Sequence, residues 1–243
     1  MQFERPHHQR IAHVLHALNG STLLAHGCYF GGGTCLALLH GEYRESVDID
    51  FLVSDAAGYR ELRQLLTHPD GLTGITHLQA PPLVALREIR ADQYGIRTQI
   101  QMDGHSIKFE IVREARIALV TPKASDKICG VSTLTRLDLA TSKLLANADR
   151  QADDGVFSRD VIDLAMMQLP LPVLRAARAK AEQAYGPSVA LDLGKAIDRL
   201  QHRLGWLDRC MQAMAMHTPK AVLWQKVRAL RRIVPTRADA GSD

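Results

Sequence analysis

The residues SVDIDFLV, 46–53, constrain the fold more than any other stretch of the chain. Val47, Ile49, Phe51, Leu52 and Val53 give the composition of a buried strand, yet Asp48 and Asp50 set two carboxylates at alternate positions. Residues two apart on a strand point to the same face, so the pair stands side by side. Like charges that close repel unless a cation lies between them or one takes a proton. Paired carboxylate oxygens suit Mg²⁺ (or Mn²⁺), which keeps its other positions for water and substrate phosphate. An exposed edge strand with both aspartates in water is the competing reading, and the apolar neighbours weigh against it.

A glycine-rich turn, GGGT at 31–34, precedes this strand. At the first turn of a helix, free backbone N–H groups and the helix dipole favour a phosphate, and glycine lets the backbone approach closely. The turn is not a P-loop, because no Lys-Ser/Thr follows, and Leu36 stands where a dinucleotide-binding loop needs its third glycine. Taken alone, GGGT marks a tight turn without a ligand. Other users of D-x-D fit less well. Phosphatases of the haloacid dehalogenase type place Thr or Val where Leu52 stands, and metal-dependent glycosyltransferases have no glycine turn just upstream.

Around this centre the chain reads as α, then a mixed β-rich block, then a run of helices. Ile11, Val14, Leu15 and Leu18 predict a helix over 7–25, followed by a short strand at 28–30, a short helix at 34–40 and another helix at 57–68. From Leu83 to Leu119 the pattern turns β-like in LVALREIRA, GIRTQIQM and SIKFEIV, with turns at DQYG and MDGH. Helical period runs from about Leu134 to about Val234, punctuated by Pro170, Pro172, Pro187 and Pro219. The expected fold class is α/β (α+β). A domain with a small mixed β-sheet spans 1–130, an all-helical domain spans 131–235, and a disordered tail spans 236–243, with the boundary inside 121–135.

The four cysteines (Cys28, Cys35, Cys129, Cys210) show no CxxC spacing, the N-terminus has no apolar h-region, and no apolar run has the length of a membrane span. Together these predict a reduced, cytoplasmic protein with no membrane partner. Charge is uneven. From Leu171 to Arg232 twelve Lys/Arg stand against four Asp/Glu, a balance of +8, whereas residues 1–170 carry seventeen basic and twenty acidic groups, a balance of −3. Well-solvated helix faces explain such a run, and a basic lobe for phosphate or an acidic partner is the alternative.

Glycine turn, short helix and D-x-D strand together resemble the nucleotidyltransferase fold of the DNA polymerase β superfamily. Here fourteen residues separate Gly33 from Asp48. Such enzymes take a third carboxylate from a later strand, and SIKFEIV supplies Glu110, with Phe109 and Ile111 facing the other way. An ordinary solvent-facing strand residue is the plain alternative for Glu110. Asp103, in the MDGH turn, is the fallback and reads as structural.

A narrower resemblance covers Gly31 to Leu164. The pattern GGT…RESxDID…KLLA…R…SRDVIDL is similar to the AbiEii/AbiGii toxin family of nucleotidyltransferases, the toxin halves of bacterial toxin–antitoxin and phage-defence pairs. By that resemblance Gly32, Gly33 and Thr34 hold triphosphate oxygens and Ser46 lies beside the metal. Lys143 reaches the nucleotide phosphates, and Asp160 and Asp163 complete the site. Two positions depart from the pattern: Gly31 stands where many relatives have Lys, and Arg159 where they often have Lys. Read without the resemblance, Lys143 and Arg150 share one helical face, and Asp160 and Asp163 share another. The four then suit an ion-pair cluster between helices, and an aspartate that orients Lys143 satisfies both readings.

The implied activity is transfer of a nucleoside monophosphate from an NTP to an acceptor hydroxyl. The metal would rest on Asp48, Asp50 and Glu110, with Lys143 and Asp160 as further catalytic residues and Asp163 contacting the nucleotide. RNA, tRNA above all, is the expected acceptor, and an antitoxin protein is the expected partner. Small-molecule, antibiotic-type nucleotidylation and a non-catalytic partner-binding module are the alternatives. The histidines, His7 and His8 among them, earn no role, and Trp206 and Trp224 read as core residues.

Overall fold

The computed structural model describes residues 3–235. The tail from Thr236, expected above to be disordered, lies outside them. The chain divides into two compact units, Met1–Thr135 and Arg136–Asp243.

The first unit opens with helix α1 (Pro6–Ala17), where Pro6 sits at a first-turn position that lacks an N–H acceptor anyway. The single helix expected over 7–25 is broken. Leu18 turns extended, Asn19 caps α2 (Gly20–Ala25) by accepting the Thr22 N–H at 3.1 Å, and a side chain at Gly20 would run into the Gly130 carbonyl. Strand β1 (Cys28–Gly31) then feeds directly into α3 (Gly32–Leu39), so the helix begins inside the glycine triplet. After β2 (Ile49–Val53) comes α4 (Ala56–Thr67), capped by Asp55, which accepts the Gly58 N–H at 2.5 Å.

The β-rich block resolves into two-residue strands β3 (Val84–Ala85) and β4 (Arg90–Ala91), then the long hairpin β5 (Gly95–Met102) and β6 (His105–Arg113). Asp103 and Gly104 at the hairpin tip both have positive φ, 49° and 75°, as a tight two-residue hairpin loop requires. A small hairpin, β7 (Lys127–Ile128) and β8 (Val131–Ser132), closes the unit. The main sheet is mixed. Its order is β1-β2-β6-β5-β3, with β4 also on β5, and β2 and β6 are its parallel pair.

The sheet has one apolar face and one charged face because its strands alternate. Phe30, Phe51 and Phe109 stack on the apolar side at centroid distances of 5.5 and 5.8 Å, all fully buried. Burying rings of this size contributes about 1.5–3 kcal/mol each. Asp50 and Glu110 necessarily face the other way.

The second unit is helical: α5 (Arg136–Arg150), α6 (Arg159–Met166), α7 (Leu171–Tyr185), α8 (Ser188–His202), α9 (Trp206–Ala213) and α10 (Lys220–Ala229). Pro172 lies in the first turn of α7, and Pro187 and Pro219 cap α8 and α10, so the prolines set helix starts. Helix α5 packs on α6, α7 and α8 through Leu144, Ala177, Leu193 and Ile197, all fully buried. Among the described residues no helix is long and apolar enough to cross a membrane. The four cysteines are free thiols.

Candidate active site

Register assembles the charged face. Gly31 pairs with Asp50, Asp50 with Glu110, Glu110 with Arg97, and Arg97 with Arg90. Directly paired residues on adjacent strands share a face. One row across β1, β2, β6, β5 and β4 therefore reads turn, acid, acid, cation, cation. Interior placement of β2 rules out the edge-strand reading of the aspartates.

At the left of this row the glycines do work that no other residue could. Gly32 has φ 69°, and a Cβ there would lie 2.5 Å from Asp50 Oδ2. Only glycine lets the α3 amino terminus come that close to the carboxylate. A Cβ on Gly33 would strike the buried Arg44 guanidinium. Thr34 is fully buried, and its hydroxyl donates to Ser46 Oγ at 2.9 Å, tying the turn to the segment that leads into the aspartates. Helix geometry leaves the first-turn N–H groups of Gly32, Gly33 and Thr34 without an acceptor inside α3.

The strand expected from Ser46 begins only at Ile49, so Asp48 precedes the ladder while Asp50 lies within it. Side chains, not strand pairing, hold residues 46 and 47. His8 is completely buried. Its Nε2 accepts the Ser46 N–H at 3.2 Å, and its Nδ1 donates to Glu42 Oε1 at 2.7 Å, which makes the ring the neutral Nδ1–H tautomer. Its neighbour His7 donates from Nε2 to the Val47 carbonyl at 2.9 Å. Glu42, itself left-handed at φ 52°, also accepts the N–H groups of Glu4 and Arg5. Burial pushes the His8 ring below its ordinary pKa, against the pull of Glu42. Two adjacent histidines thus fix the two residues before Asp48. The sequence holds one usable signal for this: His8 falls on the apolar face of α1 with Ile11 and Leu15, and a buried polar side chain needs a partner.

Glu110 keeps one-sided company. Arg97 Nε donates to its Oε1 at 2.6 Å, Lys108 Nζ donates to Oε2, and Arg97 also reaches Asp92 at 3.1 Å. Burial opposes the charge on Glu110, but Lys108 and Arg97 outweigh it and hold the carboxyl below the usual range. Lys108 in turn loses some basicity to burial and regains more from Glu110, Asp50 and Asp48, whose fields all reach it. Asp103 stays at the hairpin tip, exposed and left-handed, as a structural turn residue.

The helical unit brings the other expected residues together. Lys143 on α5 reaches Asp160 Oδ1 at 3.0 Å and Asp163 Oδ2 at 2.7 Å, both on α6. Arg150, two turns beyond Lys143, grips Asp160 in bidentate fashion at 2.7 and 2.9 Å. Lys143, Asp160 and Asp163 are 8%, 3% and 0% exposed. Burial raises the Asp160 carboxyl, but Lys143 and Arg150 prevail and hold it below its ordinary value. Left-handed Phe157 and Ser158 precede α6, and Ser158 Oγ accepts the indole N–H of the buried Trp206.

The balance of +8 already counts the four acids of the stretch, so ion pairing lowers it only through Asp138 and Asp154, which lie outside it. Arg178, Lys180, Lys195, Arg199, Arg203, Lys220 and Arg231 each have a carboxylate partner.

Known proteins bear on this arrangement. No curated protein matches the chain. Two solved structures share the fold. One is JHP933 from Helicobacter pylori, at 14% identity, TM-score 0.53, with 98% of this chain and 97% of that one covered. The other is a proposed nucleotidyltransferase from H. pylori, at 15% identity, TM-score 0.50 and the same coverage. Residues 15–232 match the family model described as nucleotidyl transferase AbiEii toxin of type IV toxin–antitoxin systems. With the glycine turn and the acidic pair folded onto one sheet face, and nearly the whole described chain inside that match, the protein belongs to the AbiEii family of nucleotidyl transferase toxins.

Proposed function

We propose that the chain transfers a nucleoside monophosphate from an NTP to a hydroxyl of an RNA acceptor, tRNA foremost, and that a cognate antitoxin restrains it. The observation that carries this reading is the contact between the side-chain-free Gly32 and Asp50, which sets a phosphate-binding helix start against a carboxylate.

Among the described residues no three His, Cys, Asp or Glu side chains close on a common metal position. Mg²⁺ or Mn²⁺ brought with the nucleotide takes one or two carboxylates and completes its shell with water and phosphate. Asp48 and Asp50 are partly exposed hard-oxygen donors beside the turn and would hold it. When bound, it would supply Lewis-acid stabilisation of the reacting phosphate.

The amides of Gly32, Gly33 and Thr34 orient the triphosphate, and Ser46 supports the turn through Thr34. Glu110 accepts the proton of the acceptor hydroxyl. The freed oxygen bonds to the α-phosphorus, the bond to the bridging oxygen of the β-phosphate breaks, and pyrophosphate leaves. The test is incubation with each α-labelled NTP, Mg²⁺ and total RNA. Label should move to RNA with wild type and not with Asp48→Ala, and equal labelling by both proteins would sink the idea.

A further inference from the structure

The cationic end of the cross-strand row points to a second subsite. Beyond Glu110 the sheet opens into a cleft of about 560 Å³, lined by Arg87, Glu88, Arg90, Arg97, Gln99 and Lys108. Arg90 lies directly across the ladder from Arg97. Like charges so placed destabilise a sheet unless something anionic lies between them. Arg97 is satisfied by Glu110 and Asp92, but Arg87 and Arg90 are exposed and have no carboxylate partner among the described residues. The Arg87 backbone is pinned to β5, because Thr98 Oγ1 donates to its carbonyl at 2.7 Å. Three strand spacings separate Asp50 from Arg90, about 14 Å.

We propose that this cleft is the acceptor track: the phosphodiester backbone of a nucleic-acid acceptor crosses Arg87, Arg90 and Arg97 and delivers its hydroxyl beside Glu110. The proposal rests on the reading of Asp48, Asp50 and Glu110 as the reaction centre. Nucleotide and acceptor then enter from opposite ends of one row, the NTP over the glycine turn and the acceptor over the arginines. A cationic acceptor of the aminoglycoside kind would be repelled by this end, whereas phosphates supply the counter-charge that Arg87 and Arg90 lack.

The test separates binding from transfer. A fluorescent single-stranded oligoribonucleotide is titrated, without NTP or metal, into wild type, Arg87→Ala/Arg90→Ala and the control Lys226→Ala/Arg228→Ala across a salt series. The arginine pair variant should bind about tenfold more weakly, and its slope of log affinity against log salt should fall by about 1.4, at roughly 0.7 per lost phosphate contact. Its melting temperature should equal or exceed that of wild type, as the Arg90–Arg97 repulsion is relieved, and its NTP affinity by calorimetry should match wild type. Unchanged RNA binding in that variant, a larger loss in the control, or label transfer to an aminoglycoside that ignores both arginines would each overturn the track. If RNA binds through Arg87 and Arg90 but no label is transferred, the track stands and the proposed reaction fails. If label transfer needs Asp48 but not these arginines, the reverse holds.

Discussion

The protein holds two sets of acidic residues with opposite electrostatic habits. On the sheet face, Asp48 and Asp50 are partly exposed beside a glycine turn, and Glu110 shares their side. Between α5 and α6, Asp160 and Asp163 are buried and engaged by Lys143, with Arg150 also on Asp160. In the first set Glu110 is held by Arg97 and Lys108, while Asp48 and Asp50 stand partly exposed. The second carries its own counter-ions and is closed. The same residue type is thus buried and paired in the helical unit and partly exposed on the sheet.

The sharpest break of that contrast is removal of one charge from each set. Asp160→Ala strands Lys143 and Arg150 beside a cavity and should lower stability by about 3–5 kcal/mol, read as a shift in denaturant midpoint. Asp48→Ala should do the opposite, leaving the melting temperature unchanged or raised as repulsion is relieved. Its label transfer should fall by about 10²–10³, near 2.7–4 kcal/mol of transition-state stabilisation. If Asp48→Ala unfolds the protein while Asp160→Ala leaves it intact, the two sets have been assigned the wrong way round.

Gly32→Ala comes next. A side chain at φ 69° costs about 1–2 kcal/mol, and the new Cβ would meet Asp50. The variant should melt lower and lose NTP affinity together, whereas Gly41→Ala, also left-handed but with nothing near its Cβ, should show only the stability loss.

The smallest effect is in pH, and it separates the two units. The fold holds His8 neutral, so below about pH 6.5 the unfolded chain binds the extra proton and stability falls as pH falls. That contribution is complete above the ordinary histidine value and is lost as pH drops through the depressed one. Asp160 is depressed as well, but from about 3.8, so its contribution persists until strongly acid conditions. Hydrogen exchange at pH 7.5 and 5.5 should show residues 42–48 opening at the lower pH while α5 and α6 stay protected. His8→Gln, which retains an acceptor for the Ser46 N–H, should suffer less than His8→Asn by about 1 kcal/mol. Equal opening in both units would remove the distinction.

Local pattern made a good part of this legible. Alternation of Asp with Ile and Phe announced a two-faced strand, and the glycine triplet announced a turn into a helix. The spacing of Lys143 with Arg150, and of Asp160 with Asp163, announced an interhelical cluster. The break between α1 and α2 is hidden in the sequence because Leu18 and Ile11 keep helical spacing straight through it. Gly20 and its fit against the Gly130 carbonyl decide that break, and such a fit leaves no periodic trace. The roles of His7 and His8 are hidden for a similar reason, since their partners lie on a segment remote in sequence.

What the sequence determined by itself is what repeats every two or every three to four residues: which face of each element is apolar, where the backbone must turn, and which residue types are available for chemistry. Tertiary structure alone decided which of them meet. The parallel register of β2 on β6 set Asp50 beside Glu110, and the hairpin register set Arg97 and Arg90 in the same row. Burial then obliged His8 to pair with Glu42 and the Ser46 N–H. Periodicity is a property of one segment, whereas register and burial belong to pairs of segments, and a pair exists only once the chain has folded.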